Sequence, residues 1–141
     1  METIIGSQFP QKVIPLINEA KKSIDIIVFD WRWYPNDPGN AVQLFNQTIV
    51  RAVRRGVCVR VITNSQEIVE ILKNVGVQAK KLLTKNLVHA KIMIIDENLV
   101  VIGSHNYTQH AFQMNYELSV ILRDAENISD FPNYFNKLWL S

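Results

Sequence analysis

The 141-residue sequence has one cysteine, Cys58, which excludes an intrachain disulfide and makes a reducing compartment the expected setting. Glycine and proline are sparse, five of each, and no low-complexity run or internal period is present, which excludes collagen-like, linker and repeat architectures. Long apolar runs are missing as well. The most apolar stretches, such as IDIIVF and IMII, are a handful of residues against the roughly 20 needed to cross a bilayer, so no stable membrane insertion is expected. The first 30 residues carry Glu2, Glu19, Asp25 and Asp30 and lack a basic start followed by an apolar stretch. That argues against a cleavable signal and for a soluble, cytoplasmic protein. No Asp/Glu cluster and no Cys/His spacing suits a metal ion, and neither a metal nor another cofactor is expected.

What is present suits a single domain over residues 1–141, with 48% hydrophobic and 20% charged side chains, enough for a real core. The net charge of +2 conceals a skew: residues 51–91 hold nine Lys or Arg against two acids, Glu67 and Glu70, a local balance of +7. Such a skew fits either a basic face meeting a polyanion or a solvated surface of scattered lysines.

Periodicity predicts helices over residues 9–23, 41–55, 65–74 and 126–140, and strands over 24–29, 57–63, 77–83, 89–96, 99–104 and 116–122. Cys58 reads as a small buried residue of its strand. Residues 30–40, DWRWYPNDPGN, read as a loop carrying two Trp and one Tyr. The opening strand–helix alternation followed by a strand cluster predicts an α/β fold: one mixed β-sheet flanked by helices on both faces.

The chemistry concentrates in HAKIMIIDENLVVIGSHN. Alternation along a strand puts His89 and Lys91 on one face and turns Asp96 elsewhere. Ser104 and Asn106 share a parity after the next strand, with His105 opposing them. Two neighbouring strand ends thus converge an imidazole, an ammonium and two neutral hydrogen-bonding groups, a constellation suited to a phosphoryl group.

This segment resembles the phospholipase D superfamily signature H-x-K-x4-D-x6-G-S-x-N, matched at His89, Lys91, Asp96, Gly103, Ser104 and Asn106. Six fixed identities at fixed spacing arise by chance on the order of once in a million chains of this length. The chain holds one copy, whereas family phospholipases usually carry two, so it resembles the single-copy endonucleases that build one site from two subunits. The resemblance implies that a neutral imidazole attacks phosphorus while a second, protonated imidazole serves the leaving oxygen. One His89 cannot do both at once, which implies a homodimer. It also implies that Lys91 and Asn106 clamp nonbridging oxygens, that Ser104 adds a hydrogen bond, and that Glu117 in NYEL orients His89. Asp96, though part of the matched set, is expected to anchor the turn into Glu97 and Asn98. An ion-pair role for Glu117, and His105 or His110 as an intrachain proton donor, stand as alternatives.

Arg32 and Trp33, with Trp31 and Tyr34, follow the first predicted strand at an edge where α/β sheets place ligands. They are candidates to stack on bases or, for Trp31 and Tyr34, to pack internally. Arg54, Arg55 and Lys85 are candidate phosphate contacts, alongside Lys80 and Lys81. Together these readings predict a metal-independent phosphodiesterase acting on DNA or RNA with little sequence preference. Hydrolysis of phospholipid head groups and non-catalytic nucleic-acid binding are the rivals.

Overall fold

Helix α1 (Gln8–Glu19) buries Phe9, Val13, Leu16 and Ile17, one stripe at helical spacing. Helix α2 (Ala41–Arg54) opens where the Asn40 side chain accepts from Val42 N at 2.9 Å. Helix α3 (Gln66–Asn74) opens in the same way on Ser65 and Ile68 N. Gly56 (φ 96°) and Gly76 (φ 94°) reverse the chain just past α2 and α3, in a region that other residues enter at a cost.

The computed structural model describes residues 1–124 and 126–141. Its strands are β1 (Glu2–Ile5), β2 (Ser23–Ile27), β3 (Cys58–Ile62), β4 (Gln78–Lys80), β5 (Ile92–Ile95), β6 (Leu99–Gly103) and β7 (Leu118–Arg123). They form one sheet in the order β1-β7-β6-β5-β2-β3-β4, parallel across β2, β3 and β4 and antiparallel elsewhere. On one face, α1, α2 and α3 pack on Ile24, Ile26, Val59, Val61, Met93 and Val101. On the other, α4 (Asp130–Trp139) sets Phe135 against Ile27, Ile62, Ile94 and Val100. The expected mixed sheet with helices on both faces is the observed architecture.

Several boundaries differ from the sequence reading. Strand β1 was not expected: only Ile4 of its four residues is buried, and its extended form comes from pairing with β7 rather than from a local pattern. Helix α1 stops at Glu19 because Ala20 is extended and Ser23 already pairs with Cys58 in the sheet. Helix α4 begins at Asp130, after a run of turns. Cys58 is exposed because it opens β3 on the face it shares with Arg60 and Ile62, of which only Ile62 is buried, beneath α4. Among the described residues no helix is long and apolar enough to cross a membrane.

Candidate active site

Strand directions bring five segments to one end of the sheet: the exits of β2, β3 and β6 and the entries of β5 and β7. His89 and Lys91 lie just before β5, outside the strand predicted to contain them. They still share a side, for Lys91 Nζ approaches His89 Nδ1 at 3.1 Å. Beneath them lies Phe29, whose ring centroid is 4.9 Å from the His89 ring and 5.6 Å from Lys91 Nζ. Asn64, which sequence reasoning overlooked, locks this segment in place. Its Oδ1 accepts from Val88 N, while its Nδ2 donates to Val88 O and Phe29 O, at 2.9–3.0 Å. A lone Asn after a strand carries no sequence signal for such a clamp.

On the neighbouring strand, Gly103 N donates to Lys91 O at 3.3 Å, which sets the exit of β6 beside the entry of β5. Asn106 spends its Oδ1 on Asp30 N at 3.1 Å, so its Nδ2 group is the part left to donate. The Ser104 hydroxyl donates to Glu117 Oε1 at 2.5 Å and accepts from Leu118 N at 3.0 Å. Glu117 Oε2 accepts from Asn115 Nδ2 at 3.0 Å. Glu117 therefore meets Ser104 within the chain, and the expected contact with His89 is absent. The strand order supplies the reason: β6 stands between β7 and β5, so Ser104 intercepts the carboxylate.

His105 has the opposed side that strand parity predicted. It is buried, with Nε2 on Gly6 O at 2.8 Å and Nδ1 on Ser119 Oγ at 2.7 Å, and it stacks on Phe9. It cannot reach a phosphate. His110 is exposed at the start of a π-helical turn, His110–Met114. His110 and the residues before it, the 30–34 loop, and Ser65, Glu67, Ile68 and Ile71 at the start of α3 line a cleft of about 700 Å³ that also takes in Asn106 and Asn115.

The family profile described as "Cardiolipin synthase, PLD-like domain" matches residues 13–139. The chain belongs to the phospholipase D-like family. Mouse mitochondrial cardiolipin hydrolase is 30% identical over 128 residues, covering 85% of this chain and 53% of that protein. NucT from Helicobacter pylori superposes with a TM-score of 0.78 at 21% identity, covering 99% of this chain and 94% of that one. Nuc from Salmonella typhimurium, described as a phospholipase D family member, gives 0.78 at 21%, covering 98% and 93%. The chain thus spans about half the length of the curated relatives it matches and nearly all of these two solved chains, whose likeness is one of fold.

Of the phospholipase D signature, Asp96 stands apart, at the opposite end of β5 from Lys91. Its carboxylate accepts from the backbone N–H groups of Lys21, Lys22 and Ser23 at 2.6–3.2 Å, and its own backbone is left-handed (φ 53°). Partial burial works against its ionisation, but those N–H groups together hold its carboxyl below the ordinary range. Asp96 points away from the candidate site, as strand parity indicated, but its carboxylate anchors the segment entering β2 at residues 21–23 rather than the turn into Glu97 and Asn98.

The basic segment is dispersed, which favours scattered surface charges over a single basic face. Helix α2 runs away from the site, so Arg54 and Arg55 lie at the far end of the sheet, where the Arg55 guanidinium donates to Ile17 O and Ala20 O behind α1. Arg60 pairs with buried Asp25 at 2.8 Å and lies over Phe135, and Lys80 Nζ donates to Trp139 O. Lys81 and Lys85 remain exposed on the segment leading to His89. Arg32 is exposed and paired with Asp30 at 3.1 Å. Trp33 is half-buried, 6.3 Å from the fully buried Trp31.

Proposed function

We propose that the chain is a metal-independent phosphodiesterase that cleaves DNA or RNA with little sequence preference, through a phosphohistidine at His89, in a site completed by a second copy. The observation that carries this reading is the His89–Lys91 pair held over Phe29 beside Asn106 at one sheet end. With Nδ1 turned to Lys91, Nε2 is the ring nitrogen free to meet phosphorus. Its lone pair forms the P–N bond as the P–O bond to the leaving group breaks, and the imidazolium of the second copy's His89 gives that oxygen its proton. The same imidazole, now neutral, takes a proton from water as the water oxygen attacks phosphorus. The P–N bond breaks and a phosphomonoester leaves. Lys91 and Asn106 Nδ2 stabilise charge on the nonbridging oxygens, where fixed donors act best. No step calls on a metal.

A dimer through this end is supported by exposed Ile5, Tyr116 and Leu118, which with Ser104 and Glu117 line a shallow groove of about 410 Å³. A second copy covering it brings the two His89 side chains to one phosphate.

A second reading, hydrolysis of phospholipid head groups, is favoured by Leu83 and Leu87, both exposed between Lys81 and His89 with Lys85, as a membrane-surface contact would be. The names of the curated relatives agree with it. The deciding experiment gives wild type and His89→Ala single- and double-stranded DNA and RNA, and phospholipid vesicles, all with a chelator present. Nucleic-acid cleavage that His89→Ala abolishes supports the first reading, and release of head groups alone supports the second. Chelator-sensitive turnover overturns the metal-independent chemistry.

A further inference from the structure

The cleft beside Asn106 has no role in the two-histidine chemistry, yet it is a built feature. Helix α2 buries two carboxamides almost completely, Gln43 at 3% and Asn46 at 0% exposure, and both are used to grip the 30–34 loop. Asn46 Oδ1 accepts from Trp31 Nε1 at 2.7 Å, and Asn46 Nδ2 donates to Arg32 O at 3.0 Å and to Gln43 Oε1 at 3.0 Å. Gln43 Oε1 also accepts from Tyr34 N at 2.7 Å. Across the cleft, Arg32 N donates to Tyr107 O at 3.0 Å and Tyr107 N to Asp30 O at 3.1 Å, which ties the loop to the residue after Asn106. A buried amide network of this kind fixes one backbone arrangement, so the 30–34 wall is set before anything binds.

We propose that this cleft is a subsite for a planar, polar heterocycle, the nucleobase attached to the scissile phosphate. The proposal rests on the nucleic-acid reading above and sharpens it to a contact that a phospholipid does not offer. Three observations carry it. Asn106 belongs both to the phosphate site and to the cleft lining, so the cleft adjoins the group attached to the phosphate. Its volume of about 700 Å³ suits a group of nucleotide size. Trp33 and Tyr34 supply aromatic surface on one side, and Ser65, Gln109 and Asn115 supply donors and acceptors around it. Asn115 has given Nδ2 to Glu117, which leaves its Oδ1 to accept. Stacking on the aromatic side chains tolerates any base, in keeping with low sequence preference. An acyl chain would leave those polar groups unpaired.

The test compares a single-stranded oligonucleotide with an abasic oligomer of equal length, which keeps the phosphodiesters and removes the bases. Wild type prefers the base-bearing oligomer, and Trp33→Ala reduces that preference in kcat/KM by about 5- to 100-fold, the range expected for one stacked base. Trp33→Phe restores most of it, and Gln109→Ala, on an exposed position, lowers it without disturbing the packing. Anisotropy with labelled oligomers and the His89→Ala protein reads the same preference without turnover. An unchanged preference in both Trp33→Ala and Gln109→Ala overturns the subsite while leaving the phosphodiesterase standing. Failure of wild type to bind or cleave either oligomer, with cleavage of phospholipid vesicles, overturns the subsite together with the nucleic-acid reading.

Discussion

Lys91 Nζ lies 3.1 Å from His89 Nδ1. An ammonium can only donate, so Nδ1 is an acceptor here and a neutral ring carries its proton on Nε2. Attack on phosphorus needs the reverse arrangement, with the lone pair on Nε2. A phosphate that draws Lys91 onto a nonbridging oxygen frees Nδ1 to take that proton, so the substrate itself sets the nucleophilic tautomer. Nitrogen NMR of His89 is expected to show the proton on Nε2 in the free protein and a shift toward Nδ1 on addition of inorganic phosphate. Lys91→Ala should lower kcat by about 10²–10³-fold with an unchanged circular dichroism spectrum. A near-normal rate would remove Lys91 from the chemistry.

Gly103 explains a second letter of the signature by packing rather than catalysis. A Cβ at this position would fall well inside contact distance of Leu118 O and of Ser119 in β7. Backbone atoms cannot swing aside, so Gly103→Ala must part β6 from β7 next to Ser104. The expected loss is about 1–3 kcal/mol of stability, read as a lower denaturation midpoint, together with reduced turnover. A variant as stable and active as wild type would show that the strands can separate freely here.

The pairing of His89 with Lys91 was legible because it depends only on spacing two residues apart, and the two side chains meet even outside a regular strand. Glu117 was not, because its partner depends on which strand lies between β7 and β5, and strand order leaves no mark on local periodicity. Arg55 shows the limit of charge counting: a basic residue reads the same whether it meets a ligand or satisfies carbonyls at the end of a helix. Gln43 and Asn46 were invisible for a related reason. Polar residues in a helical pattern read as its wet face, and only the fold shows them buried against a loop.

Asp96 carries a distinct expectation. With its carboxyl held below the ordinary range by three backbone N–H groups, it stabilises the fold at neutral pH. That contribution is fully present above the unfolded carboxyl value of about 3.9 and is lost as pH falls through the lower folded value. Asp96→Ala should cost about 1–3 kcal/mol at pH 7, measured by denaturant unfolding, with kcat per folded molecule preserved. A variant of normal stability but depressed kcat would return Asp96 to the reacting centre.

His105 separates pH effects on the fold from those on the reaction. Its Nε2 must carry the proton, since Gly6 O can only accept, and its Nδ1 then accepts from the Ser119 hydroxyl. Burial pushes its affinity for a second proton below that of an ordinary imidazole, only partly offset by Gly6 O and the charge of Glu117. Below about pH 6.5 the unfolded chain therefore takes up a proton that the folded chain refuses, and stability falls as pH drops from there toward the folded value. Wild type is expected to lose stability between pH 7 and 5.5. His105→Gln keeps a donor and an acceptor but cannot titrate, so its stability should fall less over the same interval. Denaturant midpoints of the two proteins across that range make the comparison, with all contributions common to both cancelling. Parallel curves would mean that the buried imidazole does not couple folding to pH, and that any acid loss of activity arises elsewhere.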